Sequence, residues 1–233
     1  NECISYKHNP EFTVVAWYEA YADYEDVMRR VEELLPQLAA AAGYAGEIDF
    51  TPPYPRISLV EAIHKATGIH VLEHDDRDAL ESVIRAAGLD IPTEGLAWPG
   101  LVDDLFSKVV EPTLVQPTFV VDFPKELSPL AKDHRSKPGL VERFEAFAGG
   151  MEIANAFSEL NDPDEQRARF EAQVRLAQEG DEEAQPYDEV FVESLEQGMP
   201  PAGGIGIGID RLVMLLTERQ SIREVVLFPA MRD

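Results

Sequence analysis

Cysteine is all but missing. The single thiol in 233 residues, Cys3, cannot close an internal disulfide, so nothing in the chain asks for an oxidising compartment and a cytoplasmic setting is expected. No apolar run approaches the roughly 20 residues that span a bilayer, and no membrane partner is expected. Basic residues are scarce: 20 Lys+Arg stand against 44 Asp+Glu, a net charge of -24. That balance argues against this segment being the main electrostatic landing surface for nucleic acid or anionic lipid, so any polyanion must be gripped locally. Internal repeats and low-complexity tracts are absent, and so is an initiator Met ahead of Asn1; the chain is expected to be a piece of a longer polypeptide. What is present is 45% hydrophobic content, enough for one substantial core or two small ones, which excludes a disordered chain.

The run from Asn9 to Tyr18, rich in β-branched and aromatic residues, predicts a strand after a loop. From Asp23 to Ala42, Val27, Val31, Leu34, Leu35 and Leu38 recur at helical spacing among charges, with Gly43 as a stop. Glu47 to Phe50 reads as a strand broken by the proline-rich Pro52 to Arg56, after which Ser58 caps a helix to about Thr67. Further helices are predicted over Asp76 to Ala87 and Leu101 to Val110, with Trp98 at the surface between them. Strands are predicted over Pro117 to Phe123, Arg143 to Ala148 and Glu152 to Leu160. Asp162-Pro163-Asp164-Glu165 starts a helix running toward Gly180, and Gly203 to Ile209 forms a strand that leads into a helix through Leu212 to Thr217.

Three constellations stand out. Glu145, Glu152 and Glu159, with Asn155 and Phe157, make an unusually polar strand pair. Even spacing puts Asn155, Phe157 and Glu159 on one face, whereas Glu152 and Glu159 fall on opposite faces unless a bulge intervenes. Carboxylates standing on a sheet suit Mg²⁺ beside phosphates, or a substrate ammonium; solvated strand residues are the plainer reading. Gly203-Gly204-Ile205-Gly206-Ile207-Gly208 leaves one side of a strand bare for a flat ligand, and Arg211 beyond it offers a planar fork for phosphate oxygens. The glycines do not match the dinucleotide fingerprint, and a tightly packed strand with Arg211 in a structural ion pair fits the same residues. Glu2, His8, Asn9, Glu11 and Phe12 would accept a purine amino group, contact phosphate and stack a base, although a histidine near a turn is more often a hydrogen-bonded surface residue.

In this order the segments resemble the catalytic domain of class II lysyl-tRNA synthetases. The pieces that carry the resemblance are Asn1-Glu2, His8-Asn9-Pro10-Glu11-Phe12-Thr13, Tyr21-Ala22-Asp23-Tyr24, Gln116-Pro117-Thr118-Phe119, Ser128 to Lys132, Arg143-Phe144-Glu145, Glu152 to Asp162, Gly198-Met199-Pro200-Pro201 and Gly204 to Leu216. The resemblance implies an α+β class II synthetase fold over 1–233: a largely antiparallel sheet flanked by helices, with a helical insert at about 58–111. It implies that the first signature motif and an N-terminal OB-fold anticodon-binding domain, which would carry much of the grip on tRNA(Lys), lie outside this chain, and that the intact protein is a homodimer.

The activity implied is condensation of ATP and lysine to lysyl-adenylate, followed by transfer to tRNA(Lys). By motif position, Glu2 would recognise the adenine amino group, Phe12 would stack on the base with Asn9 beside it, and His8 and Arg211 would hold the outer phosphates as the catalytic pair. Glu145 and Glu152 would hold Mg²⁺. Tyr18, Asn155, Phe157, Glu159 and Gly206 would line the lysine pocket, with Tyr18 and Glu159 receiving the ammonium. Within the resemblance, Cys3 stands where glycine is usual, Lys7 where arginine is usual and Ala16 where a pocket glutamate is usual. Two other functions fit the same residues: a synthetase-like paralogue that attaches lysine or a lysine isomer to a protein, and an inactive nucleotide-binding fragment. Gly206 favours ordinary α-lysine, since the paralogues tend to carry a bulkier residue there.

Overall fold

The computed structural model of the chain describes residues 4–178 and 184–229. Six strands, β1 (Val14–Ala20), β2 (Arg56–Ser58), β3 (Thr118–Pro124), β4 (Leu140–Ala148), β5 (Met151–Ser158) and β6 (Ala202–Gly208), form one sheet in the order β1-β6-β5-β4-β3-β2. Every pairing is antiparallel except the short edge pair of β2 with β3, which is parallel.

The helices divide between the two faces. On one, α1 (Tyr24–Ala41) packs Val27, Met28, Val31 and Leu35 against Phe144, Ala156, Ile205 and Ile207, and α7 (Ile209–Leu216) joins the same core. Asp23 starts α1 with a reciprocal capping box to Asp26, and Gly43, at φ +65°, follows its end. On the other face, α2 (Leu59–Thr67), α3 (Arg77–Ala86) and α4 (Trp98–Val109) bring Ile63, Leu80, Leu101 and Leu105 onto Val120, Val141 and Phe147. These three helices lie between β2 and β3 in the chain and cover the β3–β4 half of their face. Over β1 and β6 that face stays open, where Val14 and Tyr18 are exposed. Helices α5 (Pro163–Gln178) and α6 (Glu189–Glu196) pack on each other.

Several expectations need correction. Glu47 to Phe50 is not a strand: the amides of Ile48 and Asp49 donate to the Tyr44 hydroxyl and the Gln116 side chain, leaving no ladder to form. Ser58 occupies the cap position of α2 but makes no side-chain capping bond. Trp98 is partly buried at the start of α4, and its indole N–H donates to the His74 carbonyl at 2.5 Å. Helix α6 was not anticipated; Asp188 caps it through the Phe191 amide at 2.9 Å, and Val192 and Leu195 are its buried residues.

One irregularity matters for the site. Ala146 of β4 pairs with Ala154, yet the next residue, Phe147, pairs with Glu152, so Ile153 is surplus. Ile153 and Ala154 both enter the core under α1. This bulge turns Glu152 onto the face that carries Asn155, Phe157 and Glu159.

Candidate active site

The cross-strand register builds the site on the open face. One row runs Glu145, Asn155, Gly206, Ala16 across β4, β5, β6 and β1, and the next runs Arg143, Phe157, Gly204, Tyr18. The two β6 positions carry no side chains, for different reasons. A Cβ on Gly204 would lie 1.8 Å from Glu159 Oε1 and 2.9 Å from the Tyr18 ring, so a carboxylate and a phenol already occupy the space above it. A Cβ on Gly206 would meet only Val14, at 3.5 Å, so the space above that residue is empty.

A cavity of about 260 Å³ opens beside Gly206 and Gly208, lined by Lys7, His8, Asn9, Phe12, Glu152 and Arg211. Arg211, in the first turn of α7, donates through Nη1 to the Glu152 carbonyl at 2.8 Å and carboxylate at 3.2 Å, and through Nε to the Lys7 carbonyl at 3.3 Å. No protein acceptor meets its Nη2 among the described residues, so one side of the fork is available to an anion. Burial, then the nearby Arg211 and Lys7 charges, hold the His8 imidazole below its ordinary pKa. Its Nδ1 lies 2.7 Å from the Ser5 hydroxyl. Asn9 is buried and donates to the Glu11 carbonyl at 2.5 Å, but its Oδ1 is enclosed without a partner, an acceptor suited to a ligand N–H.

Further along the same face, burial alone raises the Glu159 carboxyl to about 7. No hydrogen-bond donor meets that carboxylate among the described residues. A half-buried carboxylate without an ion-paired partner suits a cationic group of a ligand. Glu145 is pushed well above the usual carboxylate range by burial and by the charge of Glu152, while the Arg143 guanidinium opposes the shift. Two neighbouring carboxylates are a fair match for a divalent cation, and Mg²⁺ commonly takes one or two carboxylates together with substrate phosphates. Among the described residues no cluster of three or more metal-ligating side chains exists, so any such ion would need those phosphates.

Known proteins place the chain in a family. Residues 1–232 match the family model for the class II tRNA synthetases (D, K and N). The chain belongs to that family. Among its relatives, a lysine–tRNA ligase of Chloroflexus aurantiacus is 50% identical over the whole of this chain, which covers 49% of the relative. Lysine–tRNA ligases of Synechococcus sp. (strain CC9311) and Prochlorococcus marinus (strain MIT 9303) are 50% and 51% identical, again over the whole chain. The chain thus spans about half the length of the curated relatives it matches.

Within this class II synthetase chain, the residues singled out by sequence fall into two groups. His8, Asn9, Phe12, Glu152, Gly206 and Arg211 share the first cavity. Tyr18, Asn155, Phe157 and Glu159 do not line it; they stand on the same sheet face in the neighbouring register rows. Phe157 packs partly into the core under α4, and Glu159 also borders a second cavity, of about 500 Å³, with Lys132 and Arg135. Glu2 lies outside the described residues.

Two partners escaped sequence reasoning. Lys7 forms an ion pair with Glu111, buried in the 3₁₀ turn just after α4, a contact across 104 residues with no local signal. Arg143 bonds Glu145 at 2.6 Å and Asn155 at 3.1 Å; its position two residues before Glu145, on the same strand face, was the available clue.

Proposed function

We propose that this chain is the catalytic part of a lysine–tRNA ligase, which joins lysine to ATP as lysyl-adenylate and passes the lysyl group to tRNA(Lys). The observation that carries the reading is Glu159: a carboxylate without a protein partner, raised to about 7, lying with the Tyr18 ring over the bare Gly204. It sits beside a cavity whose free Arg211 Nη2 and half-buried His8 suit phosphate oxygens. The roughly half identity to lysine–tRNA ligases supports the same substrate.

In this reading the lysine ε-ammonium pairs with Glu159 and Tyr18, with Phe157 forming the wall and Gly206 leaving room for the stem. The nucleotide lies against Phe12, with Asn9 Oδ1 and Glu2 accepting its amino protons and His8 and Arg211 on its outer phosphates. A lysine carboxylate oxygen attacks the α-phosphorus in line, the bond to the β-phosphate oxygen breaks, and pyrophosphate leaves with the electron pair. No general base is needed, because positioning and charge neutralisation carry the rate. Glu145 and Glu152 are the pair that would hold Mg²⁺, which when bound offsets phosphate charge.

The remaining partners follow from the same reading: an OB-fold anticodon-binding domain and the dimer contacts lie in the rest of the polypeptide, the helices within 58–111 form the insert, and the protein works in the cytoplasm. No helix among the described residues is long and apolar enough to cross a membrane. The test is amino-acid-dependent ATP–pyrophosphate exchange by the full-length protein containing this segment, across the standard amino acids and β-lysine, followed by tRNA charging. Lysine-dependent exchange and charging are expected; exchange driven by another amino acid, or by none, would overturn the reading.

A further inference from the structure

Arg143 is held on almost every side. Its Nη1 donates to the Leu127 carbonyl at 2.9 Å and the Ser128 hydroxyl at 2.8 Å, Nη2 donates to Glu145 Oε1 at 2.6 Å, and Nε donates to Asn155 Oδ1 at 3.1 Å. Its Cζ lies 4.4 Å from the centre of the Phe123 ring, and its side chain is only 14% exposed. A guanidinium fixed at this many points cannot swing to follow a ligand, so it acts by dictating what its neighbours present.

The consequence falls on Asn155. A guanidinium has donors and no acceptor, so the group of the Asn155 amide that faces it must be the oxygen. The NH₂ is therefore turned away from Arg143, and no protein acceptor meets it among the described residues. Asn155 stands opposite Gly206, whose missing side chain leaves space beside that NH₂. Without Arg143 either end of the amide would suit the space, and half of the orientations would offer a substrate oxygen the wrong group. The same fork also ties Asn155 to Glu145 through one rigid plane.

We propose that Arg143 is a positioning residue of the amino-acid site: by holding Asn155 Oδ1 it commits the amide NH₂ to donate to an oxygen of the bound amino acid. This rests on the reading of the site as one that activates an amino acid. The step involves no covalent change at Arg143, which never touches the reacting atoms.

Two cycles in the full-length protein test it. In lysine-dependent exchange, Arg143→Met is expected to raise KM for lysine by about tenfold with a smaller change in kcat, and to change KM little in an Asn155→Ala background. A purely structural role would instead lower activity by the same factor in both backgrounds, and would overturn the proposal. The second cycle reads thermal stability. Asn155→Asp keeps an oxygen toward Arg143, so it is expected to leave Tm unchanged or raised; in an Arg143→Met background it leaves a carboxylate without its cation and lowers Tm. An equal drop in both backgrounds would overturn the proposal. If Arg143→Met does not fold, Arg143→Lys keeps the charge while losing the planar fork, and takes its place in both cycles. The stability cycle needs no turnover: a protein that activates no amino acid would defeat the proposed function, while the Asn155–Arg143 coupling would still be read.

Discussion

Glu159 Oε1 occupies the place where a side chain on Gly204 would begin: a Cβ there would lie 1.8 Å from it. The glycine is thus part of the carboxylate's seat, and the two residues can be varied against each other.

Gly204→Ala must displace Glu159, and the displaced atom is the free end of a flexible side chain, so the fold should survive. Circular dichroism melting is expected to show a change of only a few degrees, while KM for lysine rises about tenfold or more. A variant with unchanged KM would mean that Glu159 does not receive the substrate.

The Glu159 proton should be visible in pH profiles. Its folded value of about 7 lies above the ordinary 4.5, so between those values the folded chain binds more protons than the unfolded one, and this group's contribution to stability falls as pH rises. Above 7 the protein carries the cost of a buried charge, on the order of 2–3 kcal/mol. Ligand-free Glu159→Gln is therefore expected to melt higher than the parent at pH 8, with the difference shrinking toward pH 5. Lysine affinity, measured by calorimetry, should strengthen as pH rises through 7 in the parent and lose that dependence in Glu159→Gln.

Arg211 is pinned by Glu152 and the Lys7 carbonyl with Nη2 spare. Arg211→Ala should reduce pyrophosphate exchange by about 10²–10³-fold, the usual cost of removing a fixed donor to transition-state charge. Steady-state kinetics should show the loss with respect to ATP and leave KM for lysine nearly unchanged. A deficit confined to lysine would reassign the residue.

Ala16 faces Gly206, which faces Asn155, so a longer side chain at position 16 would reach over the empty glycine. Ala16→Glu is expected to lower KM for lysine by about tenfold, since it adds a second carboxylate near the ammonium path. Raised KM would indicate that the added carboxylate crowds the lysine stem over Gly206 without reaching its ammonium.

Much of this architecture could be read along the chain, and the exceptions share a cause. Helix α1 announced itself through Asp23, Asp26 and a regular run of valines and leucines, and β6 through its alternating glycines, because those signals are local. Glu47 to Phe50 looked like a strand, but strands need neighbours, and its amides found side chains. Trp98 looked superficial because the loop carbonyl of His74 that receives its N–H lies 24 residues away. The site was legible as a set of residues, since His8, Asn9, Phe12, Glu152 and Arg211 do meet in one cavity. Its wiring was not: Glu111 reaching Lys7, and Arg143 orienting Asn155, depend on register and on distant turns that spacing does not encode.

The surplus Ile153 gives β5 two independent rulers. Residues from Asn155 onward are phased by pairing with β4 and β6 on one side of the extra residue, and Glu152 is phased on the other. In the proposed reading, the amino-acid end of this strand can therefore change without rotating the Glu152 carboxylate that bonds Arg211 at the proposed nucleotide end. Pairing Ile153 in regular register, so that the bulge is lost while the residue stays, would send Glu152 into the hydrophobic core and leave Asn155 and Glu159 where they are.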